Sequence, residues 1–191
     1  MKKFFLNFMV AAVTVVGLAT SACTVDACKD IDCVNGTCDG TSGEAECVCN
    51  TGYEQDATAD KKCTVESRTK FLNSAGYDVV ETGTSTDPFY SGTFNYVVTV
   101  ASSASGADKI IITKFGALGC AGVDLTVVGT ISDKTKISFG SSSCGDITIT
   151  GSGTYDEVTK KITATWTGTG PAGGTGPTSS SFSSTGIFTK K

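Results

Sequence analysis

The chain has 191 residues, with 15 basic against 19 acidic side chains, no histidine, nine cysteines and 23 glycines. A net charge of −4 argues against nucleic acid as a partner, since a basic face supplies most of that affinity. The lack of histidine excludes Ser-His-Asp and Cys-His catalytic arrangements and every His-ligated zinc site.

Lys2 and Lys3 open the chain, followed by an uncharged, mostly apolar run from Phe4 to Leu18 and the small residues Ala19, Thr20, Ser21 and Ala22. A basic start, a short apolar core and small residues at the cut make a secretory signal peptide over residues 1–22. Its apolar run is too short to be read first as a membrane span, and no later segment approaches the ~20 apolar residues that a span needs. Losing the leader's two lysines takes the net charge to about −6. Cys23 then stands at the cut, the one cysteine that breaks an even count.

Leu18-Ala-Thr-Ser-Ala-Cys23 resembles the lipobox of bacterial lipoproteins, departing from it at Thr20, where that family prefers Leu. The resemblance implies cleavage before Cys23 and acylation of its thiol, palmitate being the expected chain type. Residues 23–27 then form a lipidated tether to a membrane, expected to be the outer membrane or cell surface, with no spanning helix. Ordinary cleavage after Ala22, leaving Cys23 as a thiol, is the alternative.

Cys28, Cys33, Cys38, Cys47, Cys49 and Cys63 crowd into residues 28–63, where Ile31, Val34, Val48 and Tyr53 are the few apolar side chains. So short a segment cannot build a sufficient core, and covalent staples must hold it. The oxidised pairs also require an extracytoplasmic compartment. Six cysteines allow 15 pairings, and spacing alone does not choose among them. Cys33-Val-Asn-Gly-Thr-Cys38 and Cys47-Val-Cys49-Asn-Thr-Gly52-Tyr53 resemble signatures of the EGF-like module. That resemblance implies bridges Cys28–Cys38, Cys33–Cys47 and Cys49–Cys63 around a small hairpin. The loop before Cys63 departs from the pattern, carrying Asp60-Lys61-Lys62 where a glycine is usual.

Calcium-binding members of that family use acids or amides before the first cysteine and after the third. Here Asp26 is the only such acid in the first group, and Gly40 and Ala45 hold the later places. Hard cations want six to eight oxygens, so no calcium site is expected, and Asp30 and Asp32 read as solvated loop acids. No other metal and no cofactor is expected. Asn35-Gly36-Thr37 fits a glycosylation sequon but reads as turn chemistry.

Residues 64–76 read as a linker, with a short helix over Glu66 to Ala75 that buries Phe71 and Leu72. From Tyr77 to residue 191 the chain alternates in twos. Phe94, Tyr96, Val98 and Val100 share one face, as do Val123, Leu125, Val127 and Ile131, and Ile162, Ala164 and Trp166. Period-two alternation with β-branched enrichment marks half-buried antiparallel strands. Eight are expected, centred near residues 79, 97, 111, 127, 137, 149, 164 and 185. The fold class is therefore all-β, an up-and-down barrel of about eight strands behind the stapled module, with a β-sandwich as the alternative. Trp166 reads as core.

The links near Ser105-Gly106, Asp133-Lys134 and Asp156-Glu157 are short. Those over Thr82–Ser91, Gly116–Gly122, Gly140–Gly145 and Gly168–Ser180 are longer or richer in glycine. In a meander, alternate links share one end, so the longer ones form a rim that faces away from the module. Cys120 and Cys144 lie in two of these neighbouring loops and are expected to bond, stabilising the fold by about 3 kcal/mol. Small barrels bind at such mouths. Asp87, Phe89, Tyr90, Leu118 and the Gly170–Thr178 loop are therefore the candidate binding rim. The strand pattern is similar to the lipocalin-like (calycin) barrels of bacterial surface lipoproteins, which implies a binding barrel.

Together these features point to a non-enzymatic surface lipoprotein whose module displays a barrel for binding or adhesion. The expected partner is an extracellular protein, a glycan or a small ligand. A carrier of a small apolar ligand inside the barrel is the alternative. A carboxylate-pair hydrolase is the third possibility, but nothing in the spacing of Asp78, Glu81, Asp124 or Asp146 favours it.

Overall fold

The structure is a computed structural model that describes residues 27–58, 62–120 and 122–191, with backbone alone at 119 and 120. The leader, Asp26 and the Cys23 anchor lie outside the described residues, as do Asp60 and Lys61.

The N-terminal module is held by covalent bonds more than by burial. Strands β1 (Gly36–Asp39) and β2 (Glu46–Cys49) form an antiparallel hairpin in which Cys38 faces Cys47. A smaller pair follows, β3 (Tyr53–Glu54) with β4 (Val65–Glu66). Disulfides join Cys28 to Cys38, Cys33 to Cys47 and Cys49 to Cys63. Among the described residues of the module, the buried hydrophobic side chains are Cys33, Cys47 and Cys63, so the sulfur atoms are its core. Each bridge closes a loop of 10 to 14 residues, worth about 3 kcal/mol in the chain-entropy account.

The eight long strands behind it close on themselves. They are β5 (Asn73–Ser85), β6 (Gly92–Ser102), β7 (Lys109–Thr113), then a small hairpin of β8 (Gly119–Cys120) and β9 (Val123–Asp124), followed by β10 (Thr126–Ser132), β11 (Lys136–Cys144), β12 (Ile147–Tyr155), β13 (Lys161–Pro171) and β14 (Ser179–Lys190). Every barrel strand pairs antiparallel with its neighbours, β7 pairs with β10, and β14 returns to β5 through nine paired positions from Phe182↔Ser85 to Lys190↔Tyr77. The barrel is closed, not a two-sheet sandwich, and closure removes exposed sheet edges.

Alternation decides what fills it. Along β13, Ile162, Ala164 and Trp166 are buried while Thr163, Thr165 and Thr167 are exposed. Trp166 stacks edge-on to Phe115 at 4.7 Å between centroids, and Phe115 meets Phe139 at 5.1 Å. Room for these rings comes from glycines on the inner face. A Cβ on Gly151 would lie 2.7 Å from the Cβ of Trp166, and one on Gly186 would lie 2.8 Å from its ring. Large and small residues thus interdigitate, and each buried large side chain contributes about 1.5–3 kcal/mol.

Two expectations need correction. The helix expected over Glu66–Ala75 is only a 3₁₀ turn, Ser67–Phe71, with Phe71 buried and Leu72 half-buried. The Asn73 amide donates to Gly76 O at 2.6 Å and its carbonyl accepts from Ala75 N, which turns the chain into a bulge at the start of β5 and makes helix impossible there. The glycine-containing stretch Gly140–Gly145 is not a loop. Strand β11 continues through it to Cys144 across a bulge between Phe139 and Ser142, and the link to β12 is the tight turn Gly145–Asp146.

The module docks on the closed end of the barrel. Arg68 donates from Nη1 to the carbonyls of Ser103 (2.5 Å) and Gly106 (2.8 Å), while its Nε pairs with Glu66 at 2.7 Å. Gly52, at φ +91°, lets the β6–β7 link approach so closely that a Cβ would stand 2.7 Å from Asp108 N. Lys70 bridges Glu54 of the module and Glu157 of the β12–β13 link. The longer links over 86–91, 114–125 and 172–178 lie at the opposite end.

Candidate functional site

The rim is organised by one carboxylate. Asp87 lies near the start of the β5–β6 link and caps a 3₁₀ turn, Pro88–Tyr90, by accepting from Phe89 N at 2.9 Å. Its second oxygen accepts from Gly173 N at 2.7 Å and from Ser180 Oγ at 2.9 Å. The N–H groups of Gly173 and Phe89, followed by the Ser180 hydroxyl, hold this carboxyl below the usual carboxylate range. Asp87 therefore ties the β5–β6 link to the β13–β14 link.

The turn it caps delivers two rings. Tyr90 is buried, stacks on Phe182 at 4.6 Å with 11° between planes, and donates from Oη to Pro171 O at 2.9 Å. Burial first, then the nearby Asp87 charge, raises its phenol pKa. Gly170 makes room for it, since any Cβ there would overlap the Tyr90 hydroxyl. Phe89 stands edge-on to Tyr90 at 4.9 Å and is 52% exposed. On the facing side Lys114, in the left-handed region, turns the chain into Phe115–Ala117 and brings Leu118 over the core.

These elements surround a cavity of 220 Å³ at the barrel mouth, walled by Phe89, Tyr90, Phe94, Leu118, Phe182 and Ser184. Of the candidate rim, the structure brings Phe89, Tyr90 and Leu118 into this wall, while Asp87 acts behind it as a clasp. The Gly170–Thr178 stretch contributes Pro171 O and Gly173 N, the partners of Tyr90 and Asp87. Phe94, Phe182 and Ser184 were not among the candidates, although Phe94 lies on the inward face read from the alternation.

The layer behind the lining is polar. Glu81 is 4% exposed, pairs across β5–β6 with Phe94, and lies one inward step below Gly83, whose own position touches Phe94 and Ser184. Burial raises the Glu81 carboxyl pKa. The hydroxyls of Ser184 and Tyr96 stand near enough to oppose that shift, though neither closes a hydrogen bond of normal geometry to Oε2. Burial, then the Glu81 charge, raises the Tyr96 phenol as well. Glu81 Oε2, Tyr96 Oη and Trp166 Nε1 are all buried without a hydrogen-bond partner of normal geometry among the described residues. Buried polar groups are ordinarily paired, and these three lie behind the lining residues Ser184 and Gly116, next to the cavity without lining it.

The remaining candidates are separate. Cys144 is disulfide-bonded, and its sulfur lies 3.8 Å from Val123 O. The Cys120 backbone pairs with Val123, but its side chain lies outside the described residues, so the Cys120–Cys144 bridge does too. Asp78 is exposed on the outer wall near Lys191, and Asp124 is near Lys114, so neither joins Glu81 in a carboxylate pair. Among the described residues, no three His, Cys, Asp or Glu side chains converge as metal ligands, and no helix is long and apolar enough to cross a membrane.

No family model matches the chain, and no curated protein matches it. A solved structure described as "Structure of EF1p2_mFAP2b bound to DFHBI" aligns with 65% of this chain and 98% of that one, at 14% identity and a TM-score of 0.44.

Proposed function

We propose that the protein is a non-enzymatic lipoprotein of the cell surface or outer membrane, in which an EGF-like spacer displays a lipocalin-like barrel whose rim binds a partner. Acylation of Cys23 supplies the anchor in this reading, and the stapled module carries the barrel away from the membrane. One observation carries it: the module packs on the closed end through Arg68, while the aromatic cavity with its clasp lies at the other end. The binding surface then faces outward.

A through-lumen carrier is less well supported. Beneath the mouth the barrel is occupied by Trp166, Phe115, Phe139 and Phe188. The test is a glycan array and an extracellular-protein pull-down with the full mature chain, disulfides intact, against Phe89→Ala and Asp87→Ala. Capture that both variants weaken supports the rim. Capture equal in all three would move the binding surface elsewhere. Fatty-acid analogue labelling lost in Cys23→Ala checks the anchor.

A further inference from the structure

We infer that the mouth cavity is a receptor for a small organic cation bearing an aromatic or apolar body, an arylalkyl ammonium, with the ammonium on Glu81 and the body against Phe89, Tyr90, Phe94 and Phe182. This deepens, and rests on, the reading of the rim as the binding end.

The cavity selects size first. At 220 Å³ it holds roughly seven to ten groups at about 30 Å³ or less each, a single ring with a short arm. Its walls select character. Four aromatic rings on one rim offer apolar contact and quadrupoles that attract cations, a role in which Phe and Tyr faces serve well. Tyr90 and Phe182 are already stacked and Tyr90 is tied to Pro171, so this wall is preorganised and little ordering is needed on binding.

The layer behind the lining selects charge. Glu81 stands on the inward face behind the lining residue Ser184, nine-tenths buried, and no salt bridge reaches it among the described residues. Burying a carboxyl without a partner is unfavourable, and folding alone would favour an apolar residue there. An incoming ammonium would provide both the opposite charge and the N–H donors that Oε2 lacks. Tyr96 Oη, next to the carboxyl, adds an acceptor beside it. An anion would face the Glu81 charge, and a neutral ring would leave the carboxyl unpaired.

Trp166 is the sole tryptophan of the chain, and its Nε1 lies 3.6 Å from the Cβ position of Gly116 at the cavity edge, so its fluorescence reports occupancy. The experiment titrates the full mature protein with 2-phenylethylamine, 2-phenylethanol and phenylacetate, following Trp166 emission and calorimetric heat. The expected result is saturable binding of the amine at least ~10-fold tighter than of the alcohol or the acid. Glu81→Gln should erase the preference for amine over alcohol. Phe89→Ala, at an exposed position that does not threaten folding, should weaken the amine several-fold. Equal affinity for amine and alcohol, no saturable amine binding, or a preference that survives in folded Glu81→Gln would each overturn the cation assignment. The wild-type comparison alone decides the matter if that variant fails to fold. If the amine does not bind but Phe89→Ala still abolishes glycan or protein capture, the cation assignment falls while the rim reading stands. If neither readout responds to rim substitutions, both fall.

Discussion

Asp87 Oδ2 and the backbone N–H of Gly173 meet at 2.7 Å across 86 residues of sequence, joining the two links that flank the rim end of the β5–β14 pairing. The carboxylate also caps its own turn through Phe89 N, so a single side chain sets where Phe89 and Tyr90 stand. Asp87→Ala should accelerate hydrogen exchange at the Gly173 amide by about tenfold or more while leaving strand amides protected. Because the folded-state pKa is lowered from 3.8, the clasp is complete above that value and is lost as pH falls through the lower folded pKa. Exchange at Gly173 that is unchanged in Asp87→Ala would show that the clasp does not hold the rim.

Glu81 gives the opposite pH signature. Its folded-state pKa is raised from 4.5 by burial, so the unfolded chain releases its proton first. Stability from this group is full below about pH 4.5 and is lost as pH rises through the folded value. Glu81→Gln should therefore stabilise the barrel at neutral pH by about 1 kcal/mol, with the gain vanishing near pH 4. Urea melts of both proteins at the two pH values check this, and a gain independent of pH would contradict it.

Gly151 tests the packing of the interior. A Cβ there would lie 2.3 Å from the carbonyl oxygen of Thr165 and 2.8 Å from the Cα of Trp166, backbone atoms that cannot swing aside. Gly151→Ala should cost about 1–3 kcal/mol and shift Trp166 emission in the folded state. Gly140→Ala, where nothing lies within 4 Å, is the matched control and should be close to neutral.

Arg68 tests the joint between module and barrel. Its guanidinium serves the carbonyls of Ser103 and Gly106, and its side chain is 14% exposed. Arg68→Ala should cost about 1.5–3 kcal/mol and make the β6–β7 link accessible to limited proteolysis, while the three disulfides stay intact. Unchanged proteolysis would mean that Gly52 and Lys70 hold the joint without it.

The barrel was legible because its signal is local and repeated. Thr163 to Thr167 alternate so strictly around Ala164 and Trp166 that inside and outside follow from parity alone. Tyr90 and Leu118 were legible as rim residues because a meander sorts its links by end. Three features needed coordinates. The Asn73 amide that ends the 3₁₀ turn bonds across three residues and competes with helix, which no periodicity reveals. The continuation of β11 past Gly140 depends on a bulge that the partner strand dictates. Glu81 is the instructive case: parity between Val79 and Gly83 places it inward, yet an acid in that position reads as an isolated charge until Phe94 and Ser184 are seen above it.

The outer wall has one more property. Over β12, β13 and β14 it is a coat of threonine and serine hydroxyls with Ile187 among them, and Lys161, its one outward-facing charged residue, sits at the module end. Ionic strength therefore has little to screen on that flank. Encounters there should be slow and indifferent to added salt, governed by short-range hydroxyl contacts without long-range steering.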